Sequence, residues 1–340
     1  MTPFEHGGDV TAFAKACNYE VSEVIDLSSN INFVKPSIDA DFNTLDIAPY
    51  PNYDTLYEAV ASHYTVKVEE MELFNGGSSA IFSLFQHVKG ALANAPYVTI
   101  YSPAYLEYKK AAKLFGYKLE IIDRFENFNA EVKENSLIIF VNPSTPDGMY
   151  YDIESLLQKW QEKNCTVLID ESFIEFTSHT SITKVLENYP NLYILKSMTK
   201  FFGAAGIRVG TLISQAKNIK ALGTKEPLWK LSAFDATYIQ EVLTDKTFKA
   251  CSDIANEESK NYLLRVLNNS KYIKTIYPSN ANYILVELKD ITAKELQEKL
   301  IPHKVMIRSC ENFDGLGAYH VRIAVKSIDN LEKFKEVLDA

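Results

Sequence analysis

Residues 196–208 read Lys-Ser-Met-Thr-Lys-Phe-Phe-Gly-Ala-Ala-Gly-Ile-Arg (KSMTKFFGAAGIR), between two strand-like runs, 192–195 (LYIL) and 209–214 (VGTLIS). The connection is about a dozen residues, rich in glycine and without a helical repeat, whereas a parallel crossover needs a helix. The second run is therefore expected to lie antiparallel to the first, with the loop at the C-terminal end of a parallel strand. Ligands of open α/β sheets collect at that end. The loop also concentrates chemistry: Ser197 offers a hydroxyl, Lys200 an amine and Arg208 a guanidinium. Together these are the groups that an aldehyde and a phosphate require.

Working outward, apolar runs recur at 97–101, 118–122, 137–141, 166–169 and 192–195, with helical patterns between many of them. This alternation predicts an α/β fold with a mostly parallel sheet covered on both faces. After Pro227 the pattern changes to a long helical stretch over 235–267, strand-like runs at 281–287 and 305–309 around a helix, a run at 321–325, and a last helix. The expected division is an N-terminal arm over 1–40, a large domain over 41–235 and a smaller α+β domain over 236–340. The arm, with HGGDV (6–10) and DLSSNIN (26–32), is too short for a domain and should fold onto the smaller one or line the cleft.

Polar residues stand where the parallel strands end. Asp170 closes VLID, and Asn142-Pro143 follows LIIFV. A carboxylate there is costly to desolvate unless a cation meets it, although Asp also favours helix N-caps. Upstream, Asn75-Gly76-Gly77-Ser78-Ser79 opens the apolar helical run AIFSLF. Glycines at a helix start leave backbone N–H groups free for a dianion; simple N-capping explains the same residues.

Composition narrows the classes. Apolar residues make up 46% and charged residues 23% of 340, which suits a folded globular chain. Thirty-five basic against forty-four acidic residues give a net charge of −9, so no chain-wide basic field exists for nucleic acid or anionic lipid. The longest aliphatic-aromatic run, LIIFV, is far short of a membrane span, and MTPFEHGGDV lacks an apolar signal core. Cys17, Cys165, Cys251 and Cys310 stand apart, which fits a reducing, cytoplasmic setting, and no His pair or Cys pair has metal-site spacing. No metal is expected.

The pattern S-x-T-K-x-x-G-x-x-G-x-R, present as Ser197, Thr199, Lys200, Gly203, Gly206 and Arg208, resembles the fold type I pyridoxal-phosphate enzymes of the class I/II aminotransferase group. The resemblance implies a large domain with a seven-stranded-type, mostly parallel sheet, a smaller α+β domain, and pyridoxal 5'-phosphate as cofactor. It also assigns roles. Lys200 becomes the Schiff-base lysine, Asp170 the partner of the pyridinium nitrogen, and Gly77, Ser78, Ser197 and Arg208 the phosphate cradle. Tyr105, in SPAYLEY, matches the aromatic stacked on the cofactor ring. Tyr50, in APYP, matches a tyrosine that reaches the neighbouring subunit's phosphate, which implies a homodimer.

Within the group, HGGDV, DLSSNIN, LIDESFIEF (168–176) and VMIRSCENFDGLGAYHVRIAVKS (305–327) are similar to the threonine-phosphate decarboxylases, over 6–327. Decarboxylation of O-phospho-L-threonine or O-phospho-L-serine to an amino-alcohol phosphate, for cobamide assembly or a related pathway, is what this implies. Histidinol-phosphate aminotransferases are similar in the lysine loop and supply the alternative. By the same resemblance Arg308 and Arg322, with His6, Gly7, Gly8 and Asn30, hold the substrate's carboxylate and phosphate, in either assignment. The family's N-P-x-N-P-T-G reads Asn142-Pro143-Ser144-Thr145-Pro146-Asp147-Gly148 here, and Phe173 replaces a tyrosine common in relatives. Asn142 and Thr145 are expected at the cofactor, Thr145 through its hydroxyl.

Overall fold

A computed structural model describes residues 7–91 and 96–339. Along the chain the strands are β1 (Ile25–Asp26), β2 (Met71–Phe74), β3 (Tyr97–Ser102), β4 (Lys118–Asp123), β5 (Leu137–Val141), β6 (Thr166–Asp170), β7 (Leu192–Ser197) and β8 (Gly210–Ile213). They continue as β9 (Ile273–Ile276), β10 (Tyr283–Leu288), β11 (Val305–Met306), β12 (Arg308–Ser309) and β13 (His320–Ala324). Seven strands form one sheet in the order β2-β8-β7-β6-β5-β3-β4. The pairs among β3 to β7 are parallel, and β8 runs antiparallel to both β7 and β2. The short Gly-rich connection therefore reverses the chain as its length demands.

Alternation explains why this sheet is buried on both faces. Ile138 and Phe140 of β5, Val167 and Ile169 of β6 and Ile194 of β7 point into one core, which holds Trp160. Leu137, Ile139, Val141, Leu168 and Leu195 point into the other, shared with Ile81, Leu84 and Phe85 of the helix Gly76–Ala91. A second, antiparallel sheet has the order β12-β13-β10-β9, and β1 pairs in parallel with β11 beside it. Its core includes Leu27, Leu263, Ile284, Ile323 and Phe334.

Four sequence expectations need correction. The helical stretch at 235–267 is two helices, Ala233–Val242 and Phe248–Asn269, because the Asp245 carboxylate accepts the backbone N–H groups of Thr247 and Phe248 and starts a new helix. Ala236, Ile239 and Val242, with Phe248, pack in the core of the seven-stranded sheet. The run 305–309 is split between two sheets: Gln297 takes the N–H of Ile307 and the carbonyl of Val305, which separates β11 from β12. β2 and β9 are added elements, short and mixed in polarity. Among the described residues no helix is long and apolar enough to cross a membrane.

Candidate active site

A cavity of about 200 Å³ opens at the C-terminal ends of the parallel strands, between the two sheets. β6 carries Asp170 to its end, opposite Leu195 of β7 in the pairing register. β7 ends at Ser197 and runs straight into the short helix Met198–Phe201, which brings Lys200 into the same cavity. β8 begins at Gly210, opposite both Ser197 and Phe74, so the start of helix Gly76–Ala91 lies against the lysine loop. This approach needs glycine: a Cβ on Gly210 would sit 2.6 Å from the Gly77 nitrogen, and one on Gly76, at φ +76°, 2.5 Å from the Arg208 guanidinium. Gly210 went unread in the sequence, although an isolated glycine inside an apolar strand marks such close approach.

The cavity gathers Gly7, Asn30, Gly77, Ser78, Tyr105, Thr145, Asp170, Ser197, Lys200, Arg208, Arg308 and Arg322, all of them expected from the sequence. Ser29, Ile81, Ser172 and Phe313 join them unexpectedly. Asn142 does not reach the cavity, because its amide bridges both backbone groups of Tyr151, at 2.9 and 3.0 Å, and holds the turn there. Gly8 stands behind the lining, its N–H on Ser28 Oγ at 2.8 Å. Tyr50 lies away from its own chain's cavity, 74% exposed and stacked on Trp229 with ring centroids 4.2 Å apart. His6 lies outside the described residues.

Asp170 is buried, and its carboxyl group accepts from three donors: the N–H of Ser172 at 2.8 Å, its hydroxyl at 2.5 Å and the Tyr108 hydroxyl. Burial raises its pKa; the hydrogen bonds and the Lys200 charge oppose that rise. Tyr108 and Ser172 were missed in the sequence. Their only signal is spacing, one helical turn beyond Tyr105 and two residues beyond Asp170. The Lys200 amine makes no hydrogen bond among the described residues, and burial with the nearby Arg322 and Arg208 charges pushes its pKa down to about 8. Ser197 and Thr199 share a hydroxyl contact at 3.0 Å, and the Ser78 and Tyr105 hydroxyls are 3.5 Å apart.

On the opposite wall Arg308 of β12 and Arg322 of β13 are direct cross-strand partners, both buried. Like charges so placed repel. Arg322 donates to two neutral oxygens, Thr145 Oγ1 at 2.9 Å and the Ser28 carbonyl at 2.8 Å, while its Nε is buried and unsatisfied. Asn30 Oδ1 is likewise buried without a partner. Unsatisfied buried polar atoms beside a cavity are groups positioned for a ligand.

These features can be compared with known proteins. Residues 22–338 match the family model Aminotransferase class I and II. The chain belongs to this family. Its members use pyridoxal 5'-phosphate. A putative threonine-phosphate decarboxylase of Caldanaerobacter subterraneus is 31% identical, over 96% of this chain and 90% of that one. The adenosylcobalamin biosynthesis bifunctional protein CobDQ of Leptospira interrogans is 28% identical over 99% of this chain, which spans only 40% of that longer protein. The crystal structure of the histidinol-phosphate aminotransferase from Clostridium acetobutylicum superposes with a TM-score of 0.80 at 28% identity, covering 92% of this chain and 97% of that one. The fold is that of the fold type I enzymes of this family.

The residues present fit the cofactor. An amine that is buried and without a hydrogen-bond partner among the described residues shares the cavity with a carboxyl group that accepts from three donors. A helix start crowded to the glycine limit meets a guanidinium, as a phosphate cradle requires.

Proposed function

We propose that the chain decarboxylates O-phospho-L-threonine or O-phospho-L-serine to an amino-alcohol phosphate, with pyridoxal 5'-phosphate held in this cavity. Lys200 would tether the cofactor, Asp170 would face its ring nitrogen and Tyr105 its ring, and Thr145 would offer it a hydroxyl. Gly77, Ser78, Ser197 and Arg208 would take its phosphate, with Tyr50 of the partner subunit completing the cradle in a homodimer. Tyr50 is exposed beside other exposed apolar residues, which supports that last assignment. When bound, this cofactor supplies an electron sink for a bond breaking at the substrate's α-carbon.

The observation that carries the reading is the Arg308–Arg322 pair. Two buried guanidinium groups directly across a ladder set two cationic forks side by side on one wall of the cavity, where anionic groups of a ligand can engage them. A ligand with a carboxylate and a phosphate provides two anions; histidinol phosphate provides one. Arg308 and Arg322, with Gly7 and Asn30, therefore bind and orient the substrate and fix which bond at its α-carbon faces the sink, and Gly8 backs that wall through Ser28. Asp170, fixed by Tyr108 and Ser172, keeps negative charge where a protonated ring nitrogen needs it. The Lys200 amine, with its pKa pushed down to about 8 by burial and the neighbouring guanidinium charges, can take and return a proton near neutral pH. Phe173 and Phe313 give the cavity its apolar lining.

The reading includes two bodies with the boundary inside the helix Phe248–Asn269, because residues before it pack on the large sheet. It places the chain in the cytoplasm, which the four unpaired cysteines favour. The test is to incubate holoenzyme separately with O-phosphothreonine, O-phosphoserine and histidinol phosphate, with and without a 2-oxo acid. Carbon dioxide released from a phosphorylated amino acid without any 2-oxo acid is expected. Amino transfer from histidinol phosphate without carbon dioxide release would replace this reading with the aminotransferase one.

A further inference from the structure

The loop 310–319 between β12 and β13 contains three consecutive residues with three different contacts. Asn312 Oδ1 accepts from Arg308 Nη2 at 2.8 Å. Phe313 lines the cavity, with the Arg308 guanidinium 5.2 Å from its ring centroid. Asp314 leaves the small sheet altogether and crosses to the large one. Its carboxylate accepts the Ser102 hydroxyl at 2.7 Å and pairs with the Lys109 amine.

Both donors stand on elements that carry the cavity's large-sheet side. Ser102 is the last residue of β3, and Lys109 lies in the helix Glu107–Leu114, which also carries the Asp170 partner Tyr108 and follows Tyr105. Gly315, at φ +75°, closes the approach, since a Cβ there would sit 2.7 Å from the Asp123 carboxylate at the end of β4. Further links between the two sheets' parts include Tyr283 OH to the Ser144 carbonyl at 2.7 Å and Arg322 to Thr145, both buried at the cavity floor, and the exposed N–H of Tyr150 to Asn280 Oδ1 at 3.0 Å. Lys109 and Asp314 are instead 30% and 34% exposed, at the rim. A half-exposed pair is weak, and salt screens it, so it can open while the floor stays joined.

We propose that Asp314 is a positioning residue: by tying the loop to Ser102 and Lys109 it aligns Arg308 and Phe313 for the phosphorylated substrate. This rests on the substrate reading above for the ligand it names. The loop contact itself is independent of that reading. The experiment compares wild type with Asp314→Asn and with the charge swap Lys109→Asp/Asp314→Lys, all as holoenzyme. For Asp314→Asn the KM for O-phosphothreonine should rise about tenfold, with kcat within about twofold and visible cofactor absorbance unchanged; the swap should recover most of the loss. Amide hydrogen exchange over 310–319 should quicken in Asp314→Asn and nowhere else. An unchanged KM, a loss confined to kcat, or unchanged exchange over 310–319 would overturn the proposal. If wild type acts on neither O-phosphothreonine nor O-phosphoserine, the decarboxylase reading fails, and the same comparison with histidinol phosphate decides the role of Asp314; if it acts on O-phosphoserine alone, the comparison is made with that substrate.

Discussion

Lys200 and Arg322 owe their properties to what surrounds them. The Lys200 amine titrates near 8, below the usual 10.5, because burial and two guanidinium charges disfavour its protonated form. Only the neutral amine attacks an aldehyde, and its population grows as pH rises through that value. Cofactor uptake by cofactor-free protein should therefore speed up through an inflection near pH 8, as followed by stopped-flow absorbance; an inflection near 10.5 would show an ordinary lysine. Arg322 spans Thr145 and the Ser28 carbonyl with a planar fork that lysine cannot reproduce. Arg322→Lys should raise KM by about 10–100-fold, from the usual cost of breaking a buried charge-assisted contact, with a smaller effect on kcat in steady-state assays. At this scale the sequence was informative wherever a residue belonged to a spaced pattern, as Lys200, Asp170 and Arg208 do. Tyr108, Ser172 and Asp314 act through hydrogen bonds made by common residue types, which no spacing announces. Asn142 misled because its peptide pattern does not say which way the amide turns.

Among elements, the runs that became β3, β5, β6 and β7 were readable because strands buried on both faces must be continuously apolar, whereas β4 is a largely exposed edge strand legible only from its Leu and Ile residues between charged ones. β2 is an edge strand with Glu72 turned to Tyr57 and Lys230, so its sequence carries no such run. The break between the helices Ala233–Val242 and Phe248–Asn269 depends on Asp245 as a cap, a role many surface aspartates could have filled. β8 meets the start of the helix Gly76–Ala91 with no room for a side chain. Gly210→Ala forces a methyl group onto the Gly77 nitrogen and should cost about 1–3 kcal/mol in urea unfolding, with weaker cofactor retention. A variant as stable as wild type would show that this contact has slack.

For the whole molecule, a chain of net charge −9 concentrates Lys200, Arg208, Arg308 and Arg322 in one cavity against Asp170. The field there is local and is built for anions. Ile47, Tyr50, Leu228 and Trp229 form an exposed apolar group that a second copy would cover. Sedimentation should give twice the mass of one chain, and Trp229→Glu should shift the equilibrium to monomer with faster cofactor loss; a wild-type monomer that keeps its cofactor would exclude a role for Tyr50 across subunits. The account as a whole depends on the cofactor being joined to one amine. Borohydride reduction of the holoenzyme, followed by digestion and mass spectrometry, should place the reduced cofactor on the peptide that contains Lys200 and on no other. An adduct on Lys196 or any other lysine, or none on protein that holds its cofactor, would contradict it.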